Sequence, residues 1–188
     1  YSNGENAVAT GTCAQARGFN AVASGTDSVA IGRNVLAIGV GSTALGFTTD
    51  VIAIATNAYG DGTGVTAIGK AANAQSVYSL ALGPYAYANA QNAIAMGAAS
   101  KATADRSMAV GSQANAYHYG ATALGFNART TKDHEVALGS SKSPYSLPGL
   151  AGPGRRFIGD HYQNYGEKRF VTTDDQGTLG TTSFSVQN

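Results

Sequence analysis

The chain has no tryptophan, six phenylalanines, one cysteine and four prolines in 188 residues, and only 12% of it is charged. Each shortage removes a class of protein. A single cysteine, Cys13, excludes an internal disulfide framework. With 12 Lys and Arg against 11 Asp and Glu, the net charge is +1, and no basic run is present. That argues against nucleic acid or an anionic membrane surface as the main partner. No apolar run approaches the roughly 20 residues of a membrane span, and no signal peptide is visible. The chain starts and stops abruptly and reads as one piece of something larger. So few large side chains cannot fill a thick globular core. Stability must come from backbone ladders or from burial against other chains.

What the chain has is glycine and alanine in a fixed beat. From Thr66 to Gly139 one phrase recurs as TAIG, LALG, IAMG, MAVG, TALG and VALG. Its glycines, Gly69, Gly83, Gly97, Gly111, Gly125 and Gly139, are spaced by 14 residues, and an alanine stands two residues before each. Half-way through most turns lies a second alanine, at Ala74, Ala88, Ala102 and Ala116, replaced once by Thr130. After a polar lead over residues 1–6, the same lattice runs through Ala9, Ala16, Ala23, Ala30, Ala37 and Ala44. It slips by two residues between Phe47 and Val51 and resumes at Ala53, with Ala55 in the glycine slot. Residues 47–50 and 57–64 are read as bulged turns or small surface loops. A short fixed period means stacked units.

A heptad coiled coil is excluded by the same residues. Glycine every seventh position costs a helix about 1 kcal/mol each time, and the seam lacks large aliphatics. The alternation is that of strands: Thr66/Ile68, Leu80/Leu82, Ile94/Met96 and Met108/Val110 each flank an alanine. Two short strands per 14-residue turn predict an all-β, parallel β-roll or solenoid. Roughly nine turns between residues 9 and 139 would make a stack about 40–45 Å long.

The two half-turns differ in their flanks. In one, the alanine lies between polar residues such as Tyr87/Asn89, Lys101/Thr103 and Asn115/Tyr117, so the alanine faces inward and the flanks face water. If the other half-turn keeps that phase, Ile68, Leu80, Leu82, Ile94, Met96, Met108, Val110, Leu124, Val136 and Leu138 form an apolar stripe outside. That stripe is too large to leave exposed and would be the interface of a homo-oligomer. The opposite phase would put these aliphatics inside the roll.

Past Gly139 the repeat stops. Pro144, Pro148 and Pro153 mark a loop, and Arg169–Thr173 and Thr178–Phe184 read as strands joined by a turn at residues 174–177. The expected division is a repeat roll over residues 1–141 and a loop with hairpin cap or connector over residues 142–188.

Chemistry is sparse. His118, His134 and His161 have no metal-binding partners at suitable spacing, and Cys13 is remote from them. The Gly-rich stretch at residues 57–66 lacks the ending of a phosphate-binding loop. No paired carboxylates of a glycosidase, nucleophile elbow or calcium-binding roll is present. No catalytic, metal or cofactor-binding residue is assigned, and no cofactor is expected.

The phrases DSVAIGRNVLAIG (Asp27 to Gly39), QNAIAMG (Gln91 to Gly97) and HEVALGSS (His134 to Ser141) resemble the head repeat of YadA-like trimeric autotransporter adhesins. The resemblance covers residues 7–141; YSLPGL and FVTTDDQGTLG are similar to segments found after such heads. It implies a left-handed parallel β-roll with three chains around one axis, exposed on a bacterial outer membrane through an anchor outside this fragment. It also implies attachment to host matrix protein, such as collagen, or to a host cell-surface receptor. Candidate ligand residues are Tyr87, Lys101, Asn115, Tyr117 and Arg129, whose aromatic and basic groups suit a polar, proline-rich partner. The alternative is a spacer module of a surface fibre without its own ligand. A hexapeptide-repeat acyltransferase would beat in six rather than seven, and an ice-binding roll would need a threonine ladder, so neither an enzyme nor an ice binder is expected.

Overall fold

The computed structural model describes residues 1–46, 50–143, 169–173 and 179–183. The chain divides into two compact units, Tyr1–Ser143 and Pro144–Asn188. The first is a parallel β-solenoid of about ten turns, whose nine-stranded sheet (sheet A) and ten-stranded sheet (sheet B) receive alternate half-turns.

Register makes the lattice physical. In sheet B, Ala67, Ala81, Ala95, Ala109, Ala123 and Ala137 lie one above another. In sheet A, Ala74, Ala88, Ala102 and Ala116 do the same. Except for half-buried Ala9 and Ala137 in the end turns, the described lattice alanines are buried, so the inward phase is the one adopted. A second inward column stands two residues before the first, holding buried Ala, Ser or Val. Its serines satisfy themselves in place: Ser28, Ser42 and Ser100 Oγ donate to the carbonyls of Gly25, Gly39 and Gly97 at 2.8–2.9 Å. Small inward residues are what permit two sheets to close this tightly around so little side-chain volume.

Two expectations are corrected. Ser2–Asn3, placed in the polar lead, is the first strand of sheet A and pairs with Gln15–Arg17. Tyr59–Asp61, placed in a loop over residues 57–64, is a strand of sheet A between Thr43–Gly46 and Asn73–Ala74. The reason is volume. Gly60 stands opposite Ala44 and Ala74 in the inward column. A Cβ there would lie 2.8 Å from Val51 Cγ1, and Val35, Val51 and Val65 are the largest fully buried aliphatics. Glycine yields the space that the valines take. The two-residue slip is a single insertion, because both Ala37↔Ala53 and Ala44↔Gly60 are 16 residues apart. Residues 47–49 within it lie outside the described residues.

In the second unit, Arg169–Thr173 and Leu179–Ser183 pair antiparallel, with Arg169 opposite Ser183 and Thr173 opposite Leu179. The expected turn at 174–177, the proline loop and His161 lie outside the described residues.

Candidate functional site

Side chains alternate across a strand, so inward alanines force their neighbours outward. On sheet B this builds two apolar columns. Leu80, Ile94 and Met108 stand in one, and Ile68, Leu82, Met96, Val110, Leu124 and Leu138 in the other. Val136 continues the first column beyond Thr122. Leu82, Met96, Met108, Leu124, Val136 and Leu138 are exposed, Val136 by 65%. Ile68, Leu80, Ile94 and Val110 are half-buried. The columns also run further than the residues singled out from the sequence. Val22, Leu36 and Ile52 lie above Thr66, and Ile38 and Ile54 above Ile68. The signal was the same alternation in the early half-turns.

The outer face of sheet A is different. Tyr59, Asn73, Tyr87, Lys101, Asn115 and Arg129 form one column. Four of the five candidate ligand residues belong to it; the fifth, Tyr117, is two residues beyond Asn115 on the same strand line. Lys101 and Arg129 are exposed, while Tyr87, Asn115 and Tyr117 are half-buried. The side chains lie across the face and hold one another. Asn89 Nδ2 donates to Tyr87 OH at 3.1 Å, and Tyr117 OH donates to Asn115 Oδ1 at 2.9 Å. The Arg129 guanidinium sits 5.4 Å from the Tyr117 ring centroid. Tyr59 OH donates to Asp61 at 3.2 Å; burial first, then the charge and hydrogen bond of Asp61, raise its phenol above the ordinary range. Asn73 Oδ1 is the buried side-chain polar atom without a partner among the described residues. The polar character is not uniform along sheet A. Nearer the chain's start the outward positions include Val29, Ile31 and Leu45, all half-buried, in the same columns as Gln15, Arg17 and Thr43.

The repeat glycines were read as ending the strands, but a second corner position was not read from the sequence. The fourth residue after most of the lattice positions has positive φ, whatever its identity: Asn20, Asp27, Tyr78, Tyr85, Arg106, Gln113 and His134 all fall between 52° and 59°. Cys13, at φ 57° and exposed, is one more of these corner residues. The corner between sheets A and B also carries an amide ladder. Asn6 donates to Asn20 and Asn20 to Asn34, at 3.1 and 3.0 Å. Later on the same corner, Arg106 Nη1 donates to Tyr119 OH at 2.8 Å and His134 meets the Tyr119 ring edge-on at 5.3 Å. His118 Nδ1 lies 3.1 Å from Thr130 Oγ1. Among the described residues, no group of three or more His, Cys, Asp or Glu is arranged to hold a metal ion.

The sequence pattern of the YadA head domain repeat matches residues 16–34, 61–86, 88–114 and 102–128. The crystal structure of the collagen-binding domain of the Yersinia adhesin YadA is similar to this chain. The two share 27% sequence identity over 86% of this chain and 81% of that one, with a TM-score of 0.52. No curated protein sequence matches significantly.

Proposed function

Because the chain is a YadA-like adhesin head, built from the YadA head domain repeat on a parallel β-solenoid, we propose that it attaches a bacterial surface to host extracellular matrix. The observation that carries this reading is the contrast between the two outer faces. An apolar stripe running most of the length of sheet B is more than a soluble monomer leaves in water. Three such stripes meeting on one axis form a homotrimer, which turns the three sheet A faces outward. Each outward face then offers stacked aromatic, amide and basic groups, which suit a polar, proline-rich protein such as collagen. In this reading the chain is a passenger exposed at the outer membrane, held there by an anchor elsewhere. The unit from Pro144 onward is its cap, or its connector to the rest of the passenger. Nothing in the role calls for catalysis or a cofactor.

The test is a panel of immobilised matrix proteins, collagen first, probed with the folded, assembled chain. Saturable binding to collagen or to another member of the panel is the expected result. A correctly folded trimer that binds none of them would reduce the chain to a spacer in a surface fibre.

A further inference from the structure

The outer face of sheet A has a periodicity of its own. Lys101 and Arg129 are exposed in one column, two rungs apart, with Asn115 between them. At about 4.8 Å per rung their backbones are ~10 Å apart along the roll. Over the turns from Asn73 to Thr131, the outward positions of the sheet A strands hold no carboxylate. Three acids that follow these strands are each engaged in hydrogen bonds: Glu135 accepts from the Thr131 and Lys132 N–H groups and from the Thr131 hydroxyl. Asp105 Oδ1 accepts the Gln91 N–H and Asp133 Oδ1 accepts the Tyr119 N–H, each at 3.0 Å.

We propose that this face, from Tyr87 to Arg129, binds an extended acidic polysaccharide lying along the roll axis, of the kind with one uronate on every second sugar. A stretched β-linked glycan advances by nearly one strand spacing per sugar ring, so one ring falls on each rung. A carboxylate on alternate sugars then meets a cation on alternate rungs, Lys101 and Arg129. Asn115, on the rung between them, faces the uncharged sugar with an amide. The half-buried ring of Tyr87 offers apolar surface to sugar C–H groups beside its hydroxyl, while the Tyr117 ring carries the Arg129 guanidinium. Exposed ion pairs are individually weak, so the matching of several rungs at once has to carry the affinity. The inference needs sheet A to face outward in the assembly, but not that the chain binds collagen.

Hyaluronan oligosaccharides, with one carboxylate per disaccharide and no sulfate, are the probe. Chitin oligosaccharides serve as the neutral control, and dextran sulfate as a polyanion without the spacing. Saturable binding of hyaluronan, at least tenfold tighter than chitin, is expected. Lys101→Ala and Arg129→Ala should each weaken it about threefold, and the double variant about tenfold. Lys70→Ala, a cation on the opposite corner, should leave it unchanged. Equal binding of chitin, equal loss with Lys70→Ala, or hyaluronan binding no tighter than dextran sulfate and indifferent to Lys101 and Arg129 would each overturn the proposal. So would absence of binding by a folded assembly. Collagen binding measured on the same variants separates this inference from the protein-ligand reading, since either can fail alone.

Discussion

Gly97 and Ala55 occupy the same slot of the repeat, and the slot tolerates only one of them well. Gly97 has φ 133°, and a Cβ built on it would lie 2.6 Å from the carbonyl carbon and oxygen of Gly111 in the next turn. Gly97→Ala should therefore lower stability by on the order of 3 kcal/mol, read as a drop in thermal midpoint. Ala55 already carries a side chain at φ 110°. Ala55→Gly should raise stability by about 1–2 kcal/mol, because it releases backbone strain at an L-residue. A midpoint that stays or falls would show that the neighbouring insertion has relaxed the slot. Glu135 is a third special residue. It stands where other turns put a small inward residue, and its carboxylate accepts hydrogen bonds from the backbone N–H groups of Thr131 and Lys132 and from the Thr131 hydroxyl. Those bonds, the Thr131 N–H foremost, hold its pKa below the ordinary value. A depressed carboxylate pKa stabilises the fold above the unfolded value, and the contribution is lost as pH falls through the folded one. Amide exchange at residues 131 and 132 should accelerate relative to neighbouring turns as pH drops below the usual glutamate range, and Glu135→Gln should remove that dependence.

At the level of the strand, the alternation of small and large residues was legible because it is a geometric necessity. An inward alanine puts both neighbours outside; polar flanks such as Lys101 and Asn115 settled the phase for sheet A, whereas for sheet B both phases stayed open until its alanines were seen to be buried. The second corner positions were illegible for the opposite reason. Their shared property is a backbone angle, and residues as unlike as Cys13, Tyr85, Arg106 and His134 adopt it. The recurrence of Asn, Asp or Gly four residues after many of the alanines was the available signal, diluted by these exceptions. The strand at Tyr59–Asp61 was hidden by its glycine, which reads as a loop residue until Val51 and Val65 are seen filling the space beside it. Outward aliphatics lead to a prediction at this scale. Ile94 is half-buried in the middle of the sheet B columns, and its side chain does not enter the roll. Ile94→Asp should leave the β signal in circular dichroism while abolishing the oligomer in light scattering, since a carboxylate buried at an interface without a partner is strongly unfavourable. An unchanged oligomer would mean that the stripe is covered by something other than further copies of the chain.

For the whole molecule, the fold and the proposed assembly depend on different multiples of the same repeat, which allows them to be separated. Closing the roll needs an inward alanine every seven residues; keeping the apolar residues on one sheet needs the full 14. Removal of residues 84–97 deletes one turn. Gly83 is then followed by Ala98, Ala99 and Ser100, which already fit the corner and the inward column. Every later strand keeps its sheet, so the shortened chain should fold, assemble as before and melt somewhat lower, because solenoid stability grows with the number of stacked units. Removal of residues 84–90 deletes half a turn. Gly83 is then followed by Gln91, Asn92 and Ala93, with Asn92 at φ 56° suited to the corner and Ala93 to the inward column. The alanine lattice is unbroken, yet Ile94, Met96 and every later apolar pair move onto sheet A, while Lys101 and Arg129 move onto sheet B. The half-turn deletion should therefore retain β structure but lose the proposed oligomer, and with it any binding that depends on that assembly. Sedimentation and circular dichroism of the two deletions decide the matter. If both assemble equally, the faces of the repeat do not specify the oligomer, and the contrast between sheets A and B has some other purpose.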